Sequence, residues 1–454
     1  MLMQFVVENF RSFQKEAALS LVAAEGIEHA ENQVAQDETA SPQLRFAQVA
    51  VHPRILRCAA IYGANASGKS NLVKALSFAR RLVVLGTKSD DHIKVSPFKL
   101  DQPSRSAPSR FGFEILVGGI HYSYGFVAGE RVIEEEWLFA NDGRGEQLLF
   151  ERIHQPPHTT PKITLGDALA SDPGRRQFLG FVAQGTRRNQ LFLTEAREHN
   201  ATELDPVARW FKRGLQVSSP ISTPAKLLRR LERDASLTRF VADFLRTSGT
   251  GVSDIKVERF QVDRNRDQGL AEFMSAGGTI ERDRDASGSL ELVRLQMQHA
   301  SAAGTLVPLG LDEESAGTLR LMALAAFLHD LQQSAGGART IVIDELEQSL
   351  HPLLTRAVIK TFLEATTPAR RGQLLFTTHD TNLLDLNLLP RDSIWFTEKD
   401  TGGATSLYSL AEFKSEQLDK LHDRLEEGYL LGRFGAIPFL GDPAKLGWTR
   451  SAAE

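Results

Sequence analysis

The stretch GANASGKS at residues 63–70 decides the fold of this chain. An apolar run rich in strand-forming residues, Ile55–Tyr62, comes before it, and residues 72–83 repeat apolar side chains at helical spacing. A glycine-rich loop between a strand and a helix forms a P-loop, in which main-chain N–H groups point at phosphate oxygens. The sequence therefore predicts an α/β fold that binds a nucleotide.

The residue types within this loop predict separate roles. The Lys69 ammonium reaches the β- and γ-phosphates, and the Ser70 hydroxyl binds Mg²⁺. We therefore predict ATP and Mg²⁺ as ligands. The nucleotide-binding residues predicted from this segment are Gly63, Asn65, Ser67, Gly68, Lys69, Ser70 and Asn71.

Composition restricts the class of protein. The chain has 454 residues, 42% hydrophobic and 24% charged, which is typical of an ordinary globular protein with more than one core. No apolar run approaches the length of a membrane span, so we expect no membrane contact. Cys58 is the only cysteine, which excludes an internal disulfide. Together with the lack of a secretory signal, this favours the cytoplasm.

Periodicity along the chain predicts its organisation. Alternating residues predict a hairpin over Met3–Leu21 and an antiparallel meander over Phe111–Phe150, whereas residues 25–53 read as a loop. Gly174–Leu245 reads as mostly helical. We predict one nucleotide-binding domain in two parts, residues 1–165 with the P-loop and an antiparallel β lobe and residues 251–454 with the later motifs. A basic, mainly helical insertion over 166–250 separates the two parts.

A second motif, TIVIDE at residues 340–345, is a buried parallel strand that ends in two carboxylates. Parallel sheets place their sites at the carboxyl ends of strands, so this reads as a Walker B motif. Asp344 would hold Mg²⁺ through water, and Glu345 would accept a proton from the attacking water.

A third motif, QLLFTTHD at residues 373–380, is another apolar strand that ends in hydroxyls and a histidine. His379 at this edge can contact the γ-phosphate and help to hold the attacking water. We therefore predict Glu345 and His379 as the catalytic residues.

These motifs, in this order, resemble those of ABC-type ATPase heads, including the SMC and RecF-like group. The resemblance implies a signature loop before Walker B, which contacts the γ-phosphate bound by the opposite subunit. The segment ESAGT at 314–318 occupies that place, with Ser315 matching the signature serine and Gly317 its second glycine. The other positions depart from the LSGGQ pattern. The resemblance implies two heads that enclose ATP, in a homodimer or a higher homo-oligomer.

Three further matches follow from the same resemblance. NFRSF at residues 9–13 resembles the NFRS segment of SMC-like heads, which implies that Arg11 and Ser12 approach the nucleotide. His351 stands where such heads carry the aspartate of the D-loop. Gln102 is a candidate for the Q-loop glutamine, whose position stays open.

A closer resemblance is to bacterial stand-alone ABC-type ATPases of the abortive-infection, RloA-like group. It rests on YGANASGKSN at 62–71, ESAGT at 314–318, DELEQSLHP at 344–352 and GRFGAIPF at 432–439. It implies a phage-defence ATPase that works with a separate effector, a toxin or a nuclease. The alternative is a genome-maintenance ATPase of the SMC or RecF type that clamps DNA directly. A self-sufficient nuclease is disfavoured, because no second carboxylate cluster has a metal-site pattern.

The charge is unevenly distributed. The chain carries a net charge of −4, yet Arg175–Arg246 contains fourteen Lys or Arg and seven Asp or Glu. Such a basic segment can bind DNA phosphates or an acidic effector. We expect it to serve a partner; a plain solvated helix face is the alternative.

Overall fold

The computed structural model describes residues 1–24, 32–33, 44–46, 49–51, 54–155, 161–169, 172–218, 224–262, 283–284, 290–332, 339–365, 371–414 and 424–437. The strands are β1 (Leu2–Glu8), β2 (Ala17–Ser20), β3 (Leu44–Phe46), β4 (Val49–Val51), β5 (Cys58–Tyr62), β6 (Ser109–Val117), β7 (Ile120–Ala128), β8 (Ile133–Asn141), β9 (Glu146–Ile153), β10 (Lys162–Leu165), β11 (Leu215–Ser218), β12 (Val252–Val262), β13 (Asp283–Arg284), β14 (Leu290–Ala300), β15 (Leu306–Leu309), β16 (Thr340–Ile343), β17 (Gln373–Thr377), β18 (Ile394–Lys399) and β19 (Thr405–Ser409). The α-helices are α1 (Lys69–Leu85), α2 (Gln102–Ser106), α3 (Pro173–Gly185), α4 (Phe192–Glu198), α5 (Asp205–Arg209), α6 (Pro224–Arg233), α7 (Ala235–Thr247), α8 (Ala316–Gln332), α9 (Pro352–Glu364) and α10 (Leu425–Leu430).

A six-stranded sheet carries the three predicted motifs. Its order is β11-β16-β17-β5-β18-β19, parallel except for the last pair. The strands β5, β16 and β17 are completely buried, as their continuous apolar sequences predict. Alternate residues of these strands belong to two different cores, so the sheet is covered on both faces. One face packs against α1, and the other packs against α8 and α9.

A seven-stranded antiparallel sheet forms the predicted β lobe. Its order is β10-β9-β8-β7-β6-β1-β2, so the N-terminal hairpin pairs with the meander. Gly118 and Gly119 link β6 to β7 with φ values of 60° and 80°, as a tight type I′ turn requires. The rings of Phe10, Phe78 and Phe111 lie 5.2–5.5 Å apart between centroids and fasten the lobe to α1.

The fold class is as predicted, α/β with an antiparallel β lobe. The helical segment, however, is not independent of the core. The strand β11 lies inside the predicted insertion, yet it pairs with β16 at the edge of the parallel sheet. Trp210 and Phe211, just before it, pack against Phe113 of the β lobe. The two predicted boundaries, after residues 165 and 250, stay a prediction.

A third sheet has four strands. The order β12-β14-β13, with β15 added to β14, packs with α6, α7 and α8 around a separate core. Within the segment predicted as a loop, β3 and β4 form a short hairpin, so the prediction was wrong there. Most of the rest of residues 25–53 lies outside the described residues, as do Pro438 and Phe439 of the tail motif.

Candidate nucleotide-binding site

The P-loop lies between β5 and α1 and has the backbone that its glycines permit. Gly63 has a φ of 152° and Gly68 a φ of 124°, values that favour glycine. A Cβ at Gly63 would lie 2.5 Å from the carbonyl oxygen of Thr397, and one at Gly68 would collide with the Thr405 side chain. The loop is thus pressed against β18 and β19. It leads into the N-terminus of α1, and helix N-termini present N–H groups that can hold an anion.

Lys69 is the central cation of the site. Its Nζ donates to the carbonyl oxygens of Gly63 at 2.6 Å and Ala64 at 3.1 Å, and lies 3.4 Å from His379 Nδ1. Burial lowers the pKa of Lys69 to about 8, although the carboxylates of Glu347, Glu345 and Asp344 oppose the shift. A bound phosphate would favour the charged form of this lysine.

Ser70 and Asp344, the predicted Mg²⁺ ligands, lie side by side. The Ser70 hydroxyl donates to Asp344 Oδ1 at 3.2 Å, and Thr377 Oγ1 donates to the same oxygen at 2.6 Å. Mg²⁺ prefers oxygen ligands and commonly takes only one or two from protein, with the rest from phosphate and water. The oxygens present therefore fit the ion. Among the described residues, no group of three or more His, Cys, Asp or Glu could hold a metal without such help.

Glu345 follows β16 in an unusual backbone conformation. Its φ is 50°, in the left-handed region, which costs a non-glycine residue about 1–3 kcal/mol. Three contacts hold its main chain. The N–H donates to Thr377 Oγ1 at 2.8 Å, and the carbonyl oxygen accepts from Arg320 Nη2 at 2.8 Å and from the N–H of Gln348 at 3.1 Å. Such strain at a strand end is typical of functional sites.

His379 is exposed, two residues beyond the end of β17. Partial desolvation of the imidazole by the surrounding site and the nearby Lys69 ammonium lower its pKa, while Glu347, Glu345 and Asp344 oppose the shift. The imidazole is thus neutral at neutral pH and can both donate and accept a hydrogen bond.

The signature segment begins α8. Ser315 caps the helix, since its Oγ accepts from the N–H of Thr318 at 3.0 Å. A Cβ at Gly317 would lie 2.8 Å from the carbonyl oxygen of Ser349, so the helix start packs on the turn after Walker B. Ser315 is exposed, and no hydrogen bond between described residues joins it to the P-loop of its own chain. Its role in an opposite subunit stays a prediction.

Ser12 and Arg11, the two residues of the NFRSF segment that were predicted to approach the nucleotide, differ in burial. Ser12 is buried, and its Oγ accepts from Asn71 Nδ2 and Thr405 Oγ1, each at 2.8 Å. Ser12 thus links the β lobe to the P-loop helix from behind. Arg11 is exposed with a φ of 53°, and its guanidinium lies 5.7 Å from the Phe10 ring centroid. Its approach to the nucleotide stays a prediction.

The remaining matches have local roles in the structure. Asn65 is exposed on the loop, and the Ser67 hydroxyl lies 2.6 Å from Thr397 Oγ1. His351 caps α9 by accepting from the N–H of Leu353 at 3.2 Å, a task that the aspartate it replaces could also perform. Gln102 begins α2, and its assignment as the Q-loop stays open.

The basic segment is largely engaged in internal contacts. Arg175 pairs with Glu203 at 2.6 Å and Arg230 with Asp330 at 2.6 Å. Arg187 donates to the carbonyl oxygen of Thr87. The basic side chains that make these contacts are therefore not all available to bind a partner. The Arg230–Asp330 pair joins α6 to α8.

Sequence reasoning missed several residues of the site. Thr377 belongs to a motif that was recognised, and its hydroxyl next to the strand end is the signal that could have found it. Arg320 lies five residues after Ser315, and only its unusual position in an apolar helix marks it. Thr397 and Thr405 come from the last two strands, where no motif marks them.

A P-loop, an acidic strand end and a histidine strand end on one sheet are the arrangement of the P-loop class of nucleotide-binding proteins, which includes many ATPases. The model of the family described as "AAA domain, putative AbiEii toxin, Type IV TA system" matches residues 58–385, more than half of the chain. The chain therefore belongs to that family. No match was found among curated proteins.

Solved structures that resemble most of this chain weakly include two SMC heads. One is the SMC head bound to the C-winged helix domain of ScpA, with 10% identity, a TM-score of 0.42, and coverage of 92% of this chain and 99% of that one. The other is the SMC head domain from Thermotoga maritima, with 10% identity, a TM-score of 0.37, and coverage of 90% and 98%. Within the described residues, no helix is long and apolar enough to cross a membrane.

Proposed function

We propose that this chain binds ATP with Mg²⁺ and hydrolyses it, and that the cycle acts as a switch for a partner in anti-phage defence. The observation that carries the enzymatic part is the convergence of Lys69, Ser70, Asp344 and His379. They come from three separate motifs, yet they lie together at one edge of the sheet. Ser70 and Thr377 donate to Asp344 at 3.2 and 2.6 Å, and Lys69 Nζ lies 3.4 Å from His379 Nδ1.

Each side chain has a role that its chemistry supports. Lys69 binds the phosphates, and Ser70 with Asp344 holds Mg²⁺, which neutralises phosphate charge when bound. Glu345 accepts the proton of the attacking water. His379, neutral at neutral pH, orients that water or donates to a phosphate oxygen.

The assembly is part of the same proposal. Ser315 is exposed at the N-terminus of the 17-residue helix α8, where its hydroxyl and the helix dipole can meet a phosphate. We propose that the phosphate belongs to ATP on a second copy of the chain, so that two heads enclose two nucleotides.

The defence role rests on the family and on the motif resemblance. The family description names a toxin and a type IV toxin–antitoxin system, which supports a role in abortive infection. A separate effector remains part of the proposal. Direct clamping of DNA is less well supported, because the basic segment uses many of its guanidinium groups for internal contacts.

Purified protein should convert ATP to ADP and phosphate only with Mg²⁺, and Lys69→Ala should lose this activity. In cells, the chain expressed with its neighbouring genes should restrict phage, and Lys69→Ala should not. Gln348→Ala, at an exposed position beside the site, is the matched control. Protection that survives Lys69→Ala would separate the defence role from the nucleotide.

Nucleotide binding should take up protons above pH 8. Because the pKa of Lys69 is about 8 and phosphate raises it, the neutral lysine must gain a proton on binding. Affinity for ADP should then fall with rising pH, by at most about tenfold per unit. Calorimetry in two buffers of different ionisation enthalpy measures this uptake, and Lys69→Met should abolish it. Equal heats in both buffers at pH 9 would contradict the prediction.

A further inference from the structure

A third carboxylate, Glu347, lies in the candidate site and belongs to none of the roles assigned above. It follows Glu345 by two residues and is half-buried. Its Oε1 accepts a hydrogen bond from the main-chain N–H of His379 at 2.5 Å. Its Oε2 is buried and has no partner among the described residues. The carboxylate is thus directed at the end of β17.

The main chain around Glu347 is fixed on several sides. The side chain of Leu346 is fully buried, and its N–H donates to the carbonyl oxygen of Thr377 at 3.1 Å. The N–H of Leu350 donates to the carbonyl oxygen of Glu347 at 2.8 Å, and Ser349 has a φ of 63°. The turn after Walker B therefore holds Glu347 against β17.

The position of His379 depends on this contact. The last main-chain bond of β17 toward β5 is made by the N–H of Thr378, which donates to the carbonyl oxygen of Ile61 at 3.0 Å. The next N–H, that of His379, has left the sheet, and Glu347 accepts from it. The imidazole nitrogen Nδ1 of the same residue lies 3.4 Å from Lys69 Nζ. Glu347 thus joins the turn after Walker B to the main chain of His379.

We propose that Glu347 is a positioning residue for hydrolysis, whose carboxylate holds the main chain of His379 and thereby sets its imidazole beside Lys69. This inference rests on the proposed ATPase function. It distinguishes the two acidic side chains of the turn, because Glu345 would act on water and Glu347 on the histidine.

Three substitutions separate the possible roles. Glu347→Ala removes the acceptor and should lower kcat about 10–100-fold with little change in KM. Glu347→Gln keeps an acceptor oxygen and should retain kcat within about threefold of wild type. Gln348→Ala is the control on the same turn. If Gln were as damaging as Ala, Glu347 would act as a base or as a charge, and the proposal would be wrong.

A double-mutant cycle tests whether Glu347 acts through His379. In a His379→Ala background, adding Glu347→Ala should lower kcat by less than about threefold, because the side chain that Glu347 positions is already absent. Full additivity, together with a lowered Tm of Glu347→Ala alone, would indicate a role in folding only and overturn the proposal.

A readout without turnover keeps this test independent of the ATPase proposal. In protein labelled at histidine, the His379 ring resonance can be assigned by its loss in His379→Gln. Glu347→Ala should shift or broaden this resonance, and Glu347→Gln should leave it near its wild-type position. An unchanged resonance in Glu347→Ala would refute the positioning role, whereas absence of hydrolysis by the wild type would refute only the ATPase function.

Discussion

Replacing Glu345 with Gln should leave ATP binding intact and slow hydrolysis by about 10²–10⁴-fold, the usual cost of losing a general base. Gln has nearly the same shape, and the contacts that fix this residue come from its own main chain to Thr377 and Arg320. The substitution therefore removes the basic group and keeps the backbone. No other single change should separate binding from turnover so cleanly.

The Glu345→Gln protein should also accumulate as a dimer or a higher assembly with ATP, because the enclosed nucleotide is no longer consumed. Single-turnover hydrolysis and light scattering with ATP measure the two effects. Adding the substitution Lys69→Ala should abolish the assembly. Undiminished turnover in Glu345→Gln would remove this residue from its proposed role.

Lys69→Ala and Ser315→Arg proteins should each be inactive, and mixing them should restore part of the hydrolysis. Lys69→Ala removes the phosphate-binding cation of its own subunit. Ser315→Arg places a bulky side chain at the exposed start of α8, which would face the opposite subunit. In a mixed dimer both lesions fall into one composite site, and the other site is intact.

Hydrolysis is measured while one variant is titrated with the other. Restored hydrolysis requires that the subunits exchange and that each composite site can hydrolyse ATP by itself. A mixture of Lys69→Ala with Lys69→Met is the matched control and should stay inactive, since every site then lacks its lysine. Full activity of Ser315→Arg by itself would argue against the composite site.

The sequence was most informative where the chemical role of a residue and the backbone conformation around it can both be inferred from a few neighbouring residues. GANASGKS needs glycine at 63 and 68 for its loop and an apolar strand before it, and both are readable locally. Asp344 and His379 could be predicted for the same reason, because each lies within two residues of the end of a buried apolar strand. Parallel pairing then brings such strand ends to one edge of the sheet.

Long-range partners could not be read in this way. Thr397 and Thr405 support the P-loop from strands more than 300 residues further along the chain, and no local pattern marks a residue for that task. The strand Leu215–Ser218 was hidden within a helical segment, because four residues are too few to show a period. Glu347 was quoted within a motif, but only the structure revealed its bond to His379.

The edge strand Leu215–Ser218 has a mechanical consequence. The carbonyl oxygen of its last residue accepts the N–H of Asp344 at 3.1 Å, and that of its first residue accepts from Arg80 of the P-loop helix at 2.6 Å. Helices flank the strand on both sides in sequence. A displacement of those helices that moved this strand would therefore also move the main chain of Asp344 and the P-loop helix, without any contact with the nucleotide.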